Sequence, residues 1–354
     1  MAKKYLILLF LSFLILAACR KDIPKAAVED TTFQAILDKK LKSYQVKQKD
    51  KEVGMGVYIK GQNEDLYVTS GWPANKAESI YFRGARTKIF TAVSILKLQQ
   101  QGKLNLDATL VSNIPGTNEP YLPNDTNYNI PYKNAITIRQ LLNHRAGVFD
   151  VSNTPILSTV KAPYAGENYA VYLKKLHGKN YAYKFEDFIR IVAKHKLSYF
   201  SPNTSFHYSN TGYHLLDVII ARVSGKAMYQ FLEDEFLKPL DMKNTFFNIS
   251  SQMSENQIVS TPGDLSSWYF SLFGSRKILD NESLEVLLPV MATNEDHLSY
   301  GFGTQPAYVT STHYDPGTKK MYLVFSTFMG NAHFKQQTAD MDVLVTELIQ
   351  EFER

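Results

Sequence analysis

The stretch Tyr81-Phe82-Arg83-Gly84-Ala85-Arg86-Thr87-Lys88-Ile89-Phe90-Thr91-Ala92 constrains this chain more than any other. It follows strand-like residues and opens an amphipathic helix, Ile89 to about Gln101, with Gly102 as its stop. On a helix, positions 85 and 88 lie on one face about 5–6 Å apart. A lysine amine at 88 then reaches a side chain at 85 and takes its proton, which makes a serine there an activated nucleophile. The residue at 85 is alanine. The spacing is that of covalent catalysis, and the reacting hydroxyl is missing.

The N-terminus carries a second signal. Lys3 and Lys4 precede an apolar run, Tyr5 to Leu16, followed by Ala17-Ala18-Cys19. A basic start and an apolar stretch of about 12 residues are signal-peptide features, because a spanning helix needs about 20. The Leu-Ala-Ala-Cys end resembles a bacterial lipobox, cut before Cys19, whose thiol is then lipidated. Cys19 is the single cysteine, so no disulfide forms within one chain. The expectation is a lipoprotein signal peptide over 1–18, a lipidated tether over 19–32 and a folded domain over 33–354. Such a protein is exported to the bacterial cell envelope and held at a membrane surface by acyl chains.

Composition narrows the partners. The chain has 354 residues, 44% hydrophobic and 21% charged, enough to bury a large core. Two charges of the formal +5 are Lys3 and Lys4, and no Lys/Arg run or stripe follows, so nucleic acid is not expected as a partner. The eight histidines are scattered without metal-ligand spacing and no phosphate loop is present, so neither metal nor cofactor is expected.

Phe33 to Tyr44 carries a helical stripe; Val53 to Ile59 and Leu66 to Gly71 read as a hairpin around the turn-rich 60–65. At the far end, Ala307 to Tyr314 and Met321 to Phe328 flank the turn Asp315-Pro316-Gly317-Thr318, and Met341 to Phe352 is helical. This pattern predicts an α/β protein of the α+β type: one antiparallel sheet built from both chain ends (about 33–80 and 260–354), flanked by terminal helices. A mostly helical subdomain, about 81–259, is inserted. It includes helices at Thr137 to His144, Phe185 to His195, Thr211 to Val223 capped by Gly225, and Tyr229 to Phe236. The tyrosine- and asparagine-rich segments 121–132 and 164–185 read as loops.

Aromatic-x-Gly-x-x-Thr-Lys-x-Phe-Thr-Ala around Lys88 resembles the Ser-x-x-Lys element of the serine β-lactamase, DD-peptidase and esterase superfamily. Phe200 to Tyr213 resembles that family's Phe-x-Pro-Gly-x-x-Phe-x-Tyr-Ser-Asn-x-Gly-Tyr segment, with Asn203 at a glycine position; asparagine tolerates the left-handed backbone. The resemblance implies that Tyr208 is the general base and acid beside Lys88, and that Asn210 orients substrate. Taken alone, Tyr208-Ser209-Asn210 is a buried tyrosine and a turn; its flanks carry the functional reading. Ile136 to Gly147, Lys238 to Thr245 and Ser260 to Leu265 match family packing and turn signatures, and His144 is read as structural. Ser209 and Thr87 are not read as nucleophiles, since Thr87 lies about 100° round the helix from Lys88.

One element is absent. Tyr300-Gly301-Phe302-Gly303-Thr304 and Tyr314-Asp315-Pro316 bracket the place where the family carries a Lys-Thr-Gly or His-x-Gly strand lining the oxyanion site. Gln305 to His313 holds neither, and Thr310-Ser311-Thr312 is a weak substitute. The resemblance, over 33–354, implies a β-lactamase/transpeptidase-like fold whose cleft gathers Ala85, Lys88, Tyr208 and Asn210. The implied function is an envelope lipoprotein that has lost acyl transfer yet binds a peptide, muropeptide, β-lactam-like or small-ester ligand. The alternatives are a hydrolase of β-lactams, D-amino-acid peptides or small esters seen as a Ser→Ala variant, and a structural, partner-binding lipoprotein.

Overall fold

Apolar residues one helical turn apart at both chain ends, and alternating along the strands between them, form a first layer. The computed structural model describes residues 31–45, 53–72, 79–83, 87–178, 181, 184–248, 257–294, 298–301 and 307–352. Helix α1 (Thr31–Gln45) buries Phe33, Leu37 and Leu41. Strands β1 (Met55–Lys60) and β2 (Asp65–Ser70) form the hairpin, in register Met55 with Ser70 and Lys60 with Asp65. A two-residue strand β3 (Phe82–Arg83) precedes helix α2 (Thr87–Gln100).

The inserted region follows. It holds α3 (Ile138–Leu142), α4 (Tyr169–His177), α5 (Phe185–His195), α6 (Asn210–Ser224) and α7 (Met228–Leu232), which runs into a π-helical turn. Then come β4 (Phe246–Asn248), β5 (Gln257–Ser260), α8 (Pro262–Tyr269), α9 (Asn281–Asn294), β6 (Leu298–Gly301), β7 (Tyr308–Asp315), β8 (Lys320–Thr327) and α10 (Asn331–Phe352).

The strands lie in the order β2-β1-β8-β7-β6-β3-β5-β4, and every neighbouring pair is antiparallel. The two ends of the chain therefore build one sheet, with β1 from the N-terminal part inserted beside β8 from the C-terminal part. One face packs on α1 and α10 through Val57, Ile59, Val309, Val324, Met341 and Leu344. The other face, including Phe82, Tyr308 and Phe325, joins the larger core of the helical region.

Three expectations need correction. Helix α2 is not amphipathic: Ile89 to Leu96 and Leu98 are all buried, and Phe90 stacks on Trp268 of α8 at 4.1 Å. It is the central rod of the larger core, and a helix enclosed on all sides is apolar all round. Residues 169–177, read as loop, are helix α4, because Asn168 accepts from Ala170 N and Val171 N at 3.0 and 3.2 Å and starts it. Helix α10 begins ten residues before Met341. Its polar first turns conceal an inward face, where fully buried Gln337 donates to Ser326 Oγ (2.6 Å) and Thr327 O (2.7 Å). Helices α8 and α9 gave no expectation, and α9 carries an internal Pro289 that argues against a helix in sequence.

Candidate active site

Two helix starts converge at the cleft. Lys88 lies in the first turn of α2, and Tyr208, Ser209 and Asn210 lead into α6. The Lys88 Nζ lies over the Tyr208 ring, 5.0 Å from its centroid, and 5.8 Å from that of Tyr213. An ammonium over an aromatic face gains roughly 0.5–2 kcal/mol. Tyr208 is 37% exposed, so this contact opens to solvent. Ala85 and Cys19 lie outside the described residues.

The Tyr-Ser-Asn segment is clamped from both sides. Ser209 caps α6, its Oγ accepting from Gly212 N at 3.0 Å, and its own N–H donates to His144 Nδ1 at 3.1 Å. The buried His144 ring stands 4.6 Å from Tyr208 and 4.8 Å from Tyr213, so His144 holds the tyrosine in place and does not face a ligand. Its neighbour in the chain, Gly147, sits at φ +71°, and a Cβ there would meet Phe200 O at 2.1 Å. Only glycine lets the 144–150 strap run this close to the strap leading to Tyr208. Asn203, at the position where glycine is usual, adopts φ +66° and donates its N–H to Arg145 O at 2.8 Å.

On the other side stands Asp150, 1% exposed. Its Oδ1 accepts from Ser152 N (3.0 Å) and Ser152 Oγ (2.6 Å). Its Oδ2 accepts from Asn210 N (2.9 Å) and Asn153 Nδ2 (3.3 Å). The Asn210 amide donates in turn to Ser152 Oγ at 3.1 Å. Asp150 therefore fixes both the backbone and the side chain of Asn210. The matched segment 136–147 thus lies in the strap that positions the second motif, a role that reading it as a packing signature missed.

Behind Lys88 lies a cluster of polar side chains that sequence reading also missed. Thr91, three residues on from Lys88, donates Oγ1 to Asp217 Oδ1 at 3.1 Å. Burial pushes the Asp217 carboxyl up to about 7, against the opposing effects of the Thr91 hydrogen bond and the Lys88 charge. His214 is stacked on Phe185 at 3.7 Å, and burial, aided by the Lys88 charge, pushes its imidazole down to about 3. An acid inside the apolar run Leu215-Leu216-Asp217-Val218-Ile219-Ile220 was the available signal.

The remaining candidates fall elsewhere. Thr87 Oγ1 accepts from Ile258 N of β5 at 3.4 Å, away from Lys88. Ser311 Oγ donates to Asp342 on α10 at 2.8 Å, on the face of β7 that carries the terminal helices. β6 pairs directly with β7, Leu298 with Val309 and Ser299 with Tyr308, across a link of residues 302–306. β7 thus stands where the resemblance puts the strand of the third motif, and it bears neither triplet. Among the described residues no group of three or more His, Cys, Asp or Glu is arranged to hold a metal ion.

Known proteins share this architecture. A stretch of 180 residues is 29% identical to Protein flp of Staphylococcus aureus strain MW2, covering 51% of this chain and 30% of that protein. The chain thus spans about a third of that relative's length. In fold it is similar to D-amino acid amidase from Ochrobactrum anthropi SV3 complexed with L-phenylalanine, with TM-score 0.60 and 17% identity over 92% of this chain and 99% of that one. It is similar also to a penicillin binding protein from Bacillus halodurans, with TM-score 0.55 and 18% identity over 87% and 98% of the two chains. A family model described as Beta-lactamase matches residues 37–331, the greater part of the sequence and all of the cleft described above, and the chain belongs to the Beta-lactamase family.

Proposed function

We propose that this protein is a non-catalytic, ligand-binding member of its family, displayed at the bacterial envelope on a lipid anchor at Cys19. The observation that carries the reading is Ala85, three residues before Lys88 in sequence, at the position the family resemblance assigns to the nucleophile. Without a hydroxyl there, no acyl-enzyme forms at that position, and loss of the nucleophile from a cooperating set removes about 10⁶-fold of rate in an unrelated protease. The sequence of β7 supports it, since this strand lies where the resemblance puts the third motif and carries neither Lys-Thr-Gly nor His-x-Gly. Lys88 lies over the Tyr208 ring, and the hydrogen bonds that hold the Tyr208-Ser209-Asn210 segment are kept. The ligand classes in view are peptides, muropeptides, β-lactam-like compounds and small esters, in keeping with a fold shared with a D-amino acid amidase and a penicillin binding protein.

The test is intact mass and turnover with a panel of β-lactams and activated esters. The expected result is no acyl adduct and no turnover above background, with reversible binding seen as thermal stabilisation, about 2.7 kcal/mol at a hundredfold excess over Kd. Turnover at the rate of an active serine hydrolase would sink the reading. An Ala85→Ser variant tested alongside separates the two losses: an adduct means the rest of the site is competent, and no adduct means the third element is also needed. For the anchor, Cys19→Ser is expected to move the protein from the membrane fraction to the soluble one on cell fractionation. Among the described residues no helix is long and apolar enough to hold it there by spanning.

A further inference from the structure

Lys88 enters no ion pair among the described residues. Its ammonium faces two aromatic rings, one of them open to solvent. Asp217 is docked on the same face of α2 by Thr91, one turn further along. It is close enough for the lysine charge to act on it, and yet not in contact. Among the described residues the lysine is therefore a positive charge presented to the cleft without a contacting counter-charge, with Asp217 set back behind it.

Resting on the reading of the cleft as a ligand site without acyl transfer, we propose that Lys88 binds the free carboxylate of an amino-acid or peptide ligand, and that Asp217 is an internal competitor for that lysine. A neutral Asp217 leaves the ammonium uncompensated, so that a ligand carboxylate supplies the missing negative charge. An ionised Asp217 supplies it from within and weakens the ligand's hold, and in a partly buried site such coupling is large. Burial of Asp217 sets the crossover at about 7.

The other titratable groups around α6 do not provide this switch. His214 is held neutral by burial, and its Nε2 has no hydrogen-bond partner. His144 accepts a hydrogen bond at Nδ1 from Ser209. On the neighbouring helices and on α6 itself, Arg139 pairs with Asp107, Arg190 with Asp187, Arg222 with Glu119, and Asp234 with Lys226 and Lys238.

The experiment is calorimetric titration of the whole protein with N-acetyl-D-alanyl-D-alanine and with its neutral C-terminal amide. At about pH 6 the acid is expected to bind about tenfold more tightly than the amide, and at about pH 8 this preference falls to about threefold or less. Asp217→Asn is expected to keep the full preference at both pH values, and Lys88→Met to abolish it. Equal binding of acid and amide by the unsubstituted protein at both pH values overturns the proposal while leaving the ligand-binding reading intact. A preference that does not change with pH, or a pH dependence that survives in Asp217→Asn, overturns the part assigned to Asp217. Failure of both compounds to bind overturns the ligand-binding reading together with the proposal.

Discussion

Asp150→Ala is expected to cost about 3–5 kcal/mol of stability and to release Asn210 from its position in the cleft. The carboxylate is buried and accepts four hydrogen bonds, two from Ser152 and one each from Asn153 and Asn210. Removing it strands buried donors, each of which costs about 1–3 kcal/mol if water does not replace the acceptor. The exposed pair Arg139–Asp107 gives the contrast. Its two contacts are as short, at 2.6 and 2.9 Å, but both partners are solvated, and such a pair contributes about 0–1 kcal/mol. Burial, not distance, decides which acid matters. Asp150→Asn keeps the shape while turning one acceptor into a donor, and an intermediate loss is expected. Urea unfolding reads the stability, and ligand-induced stabilisation of the surviving fold reads Asn210. A loss under about 1 kcal/mol for Asp150→Ala would show that water substitutes for the carboxylate and that no clamp exists.

Local patterns carried the elements that stand on their own signals. Helix α5 runs from Phe185 to His195 as the apolar stripe and the acidic first turn indicate, and Gly225 ends α6 in the left-handed conformation expected of a C-cap. Thr137 caps α3 with Gln140 answering in a capping box. The sheet's plan followed from matching strands at the two chain ends. What escaped notice depends on partners far away in sequence. Asn168 starts α4 while its amide donates to Ser152 O, and the inward face of α10 is made by a glutamine that only tertiary contacts satisfy. The site divides the same way. Lys88, Tyr208 and Asn210 were legible as motifs, whereas Asp150 acts across 60 residues of sequence and Asp217 across 126, where no spacing rule reaches.

Asp217→Asn is expected to leave stability nearly unchanged at about pH 4 and to raise it by about 2–4 kcal/mol at about pH 8. The sign follows from the direction of the shift. Burial raises the Asp217 carboxyl from its ordinary 3.8 to about 7, so the folded protein holds a proton that the unfolded chain gives up. Below the unfolded value both states are protonated and the substitution removes no charge. As pH rises from about 4 to about 7 the unfolded chain ionises first, and stability falls until the folded carboxyl ionises too. Asparagine keeps an acceptor for Thr91 Oγ1 and has no charge to bury. The lower end of the range allows for the part of Asp217 that stays accessible, since solvent reaching the carboxylate reduces the penalty. His214 has the opposite dependence: its imidazole is depressed to about 3, so the stability of the neutral ring is full above about 6.5 and is lost as pH falls toward 3. Urea unfolding of both proteins across this range separates the two groups, because only the Asp217 contribution differs between them. A difference that stays flat with pH would mean that Asp217 ionises as readily folded as unfolded. It would then be a permanent counter-ion to Lys88, and the lysine would present no free charge to a ligand at any pH.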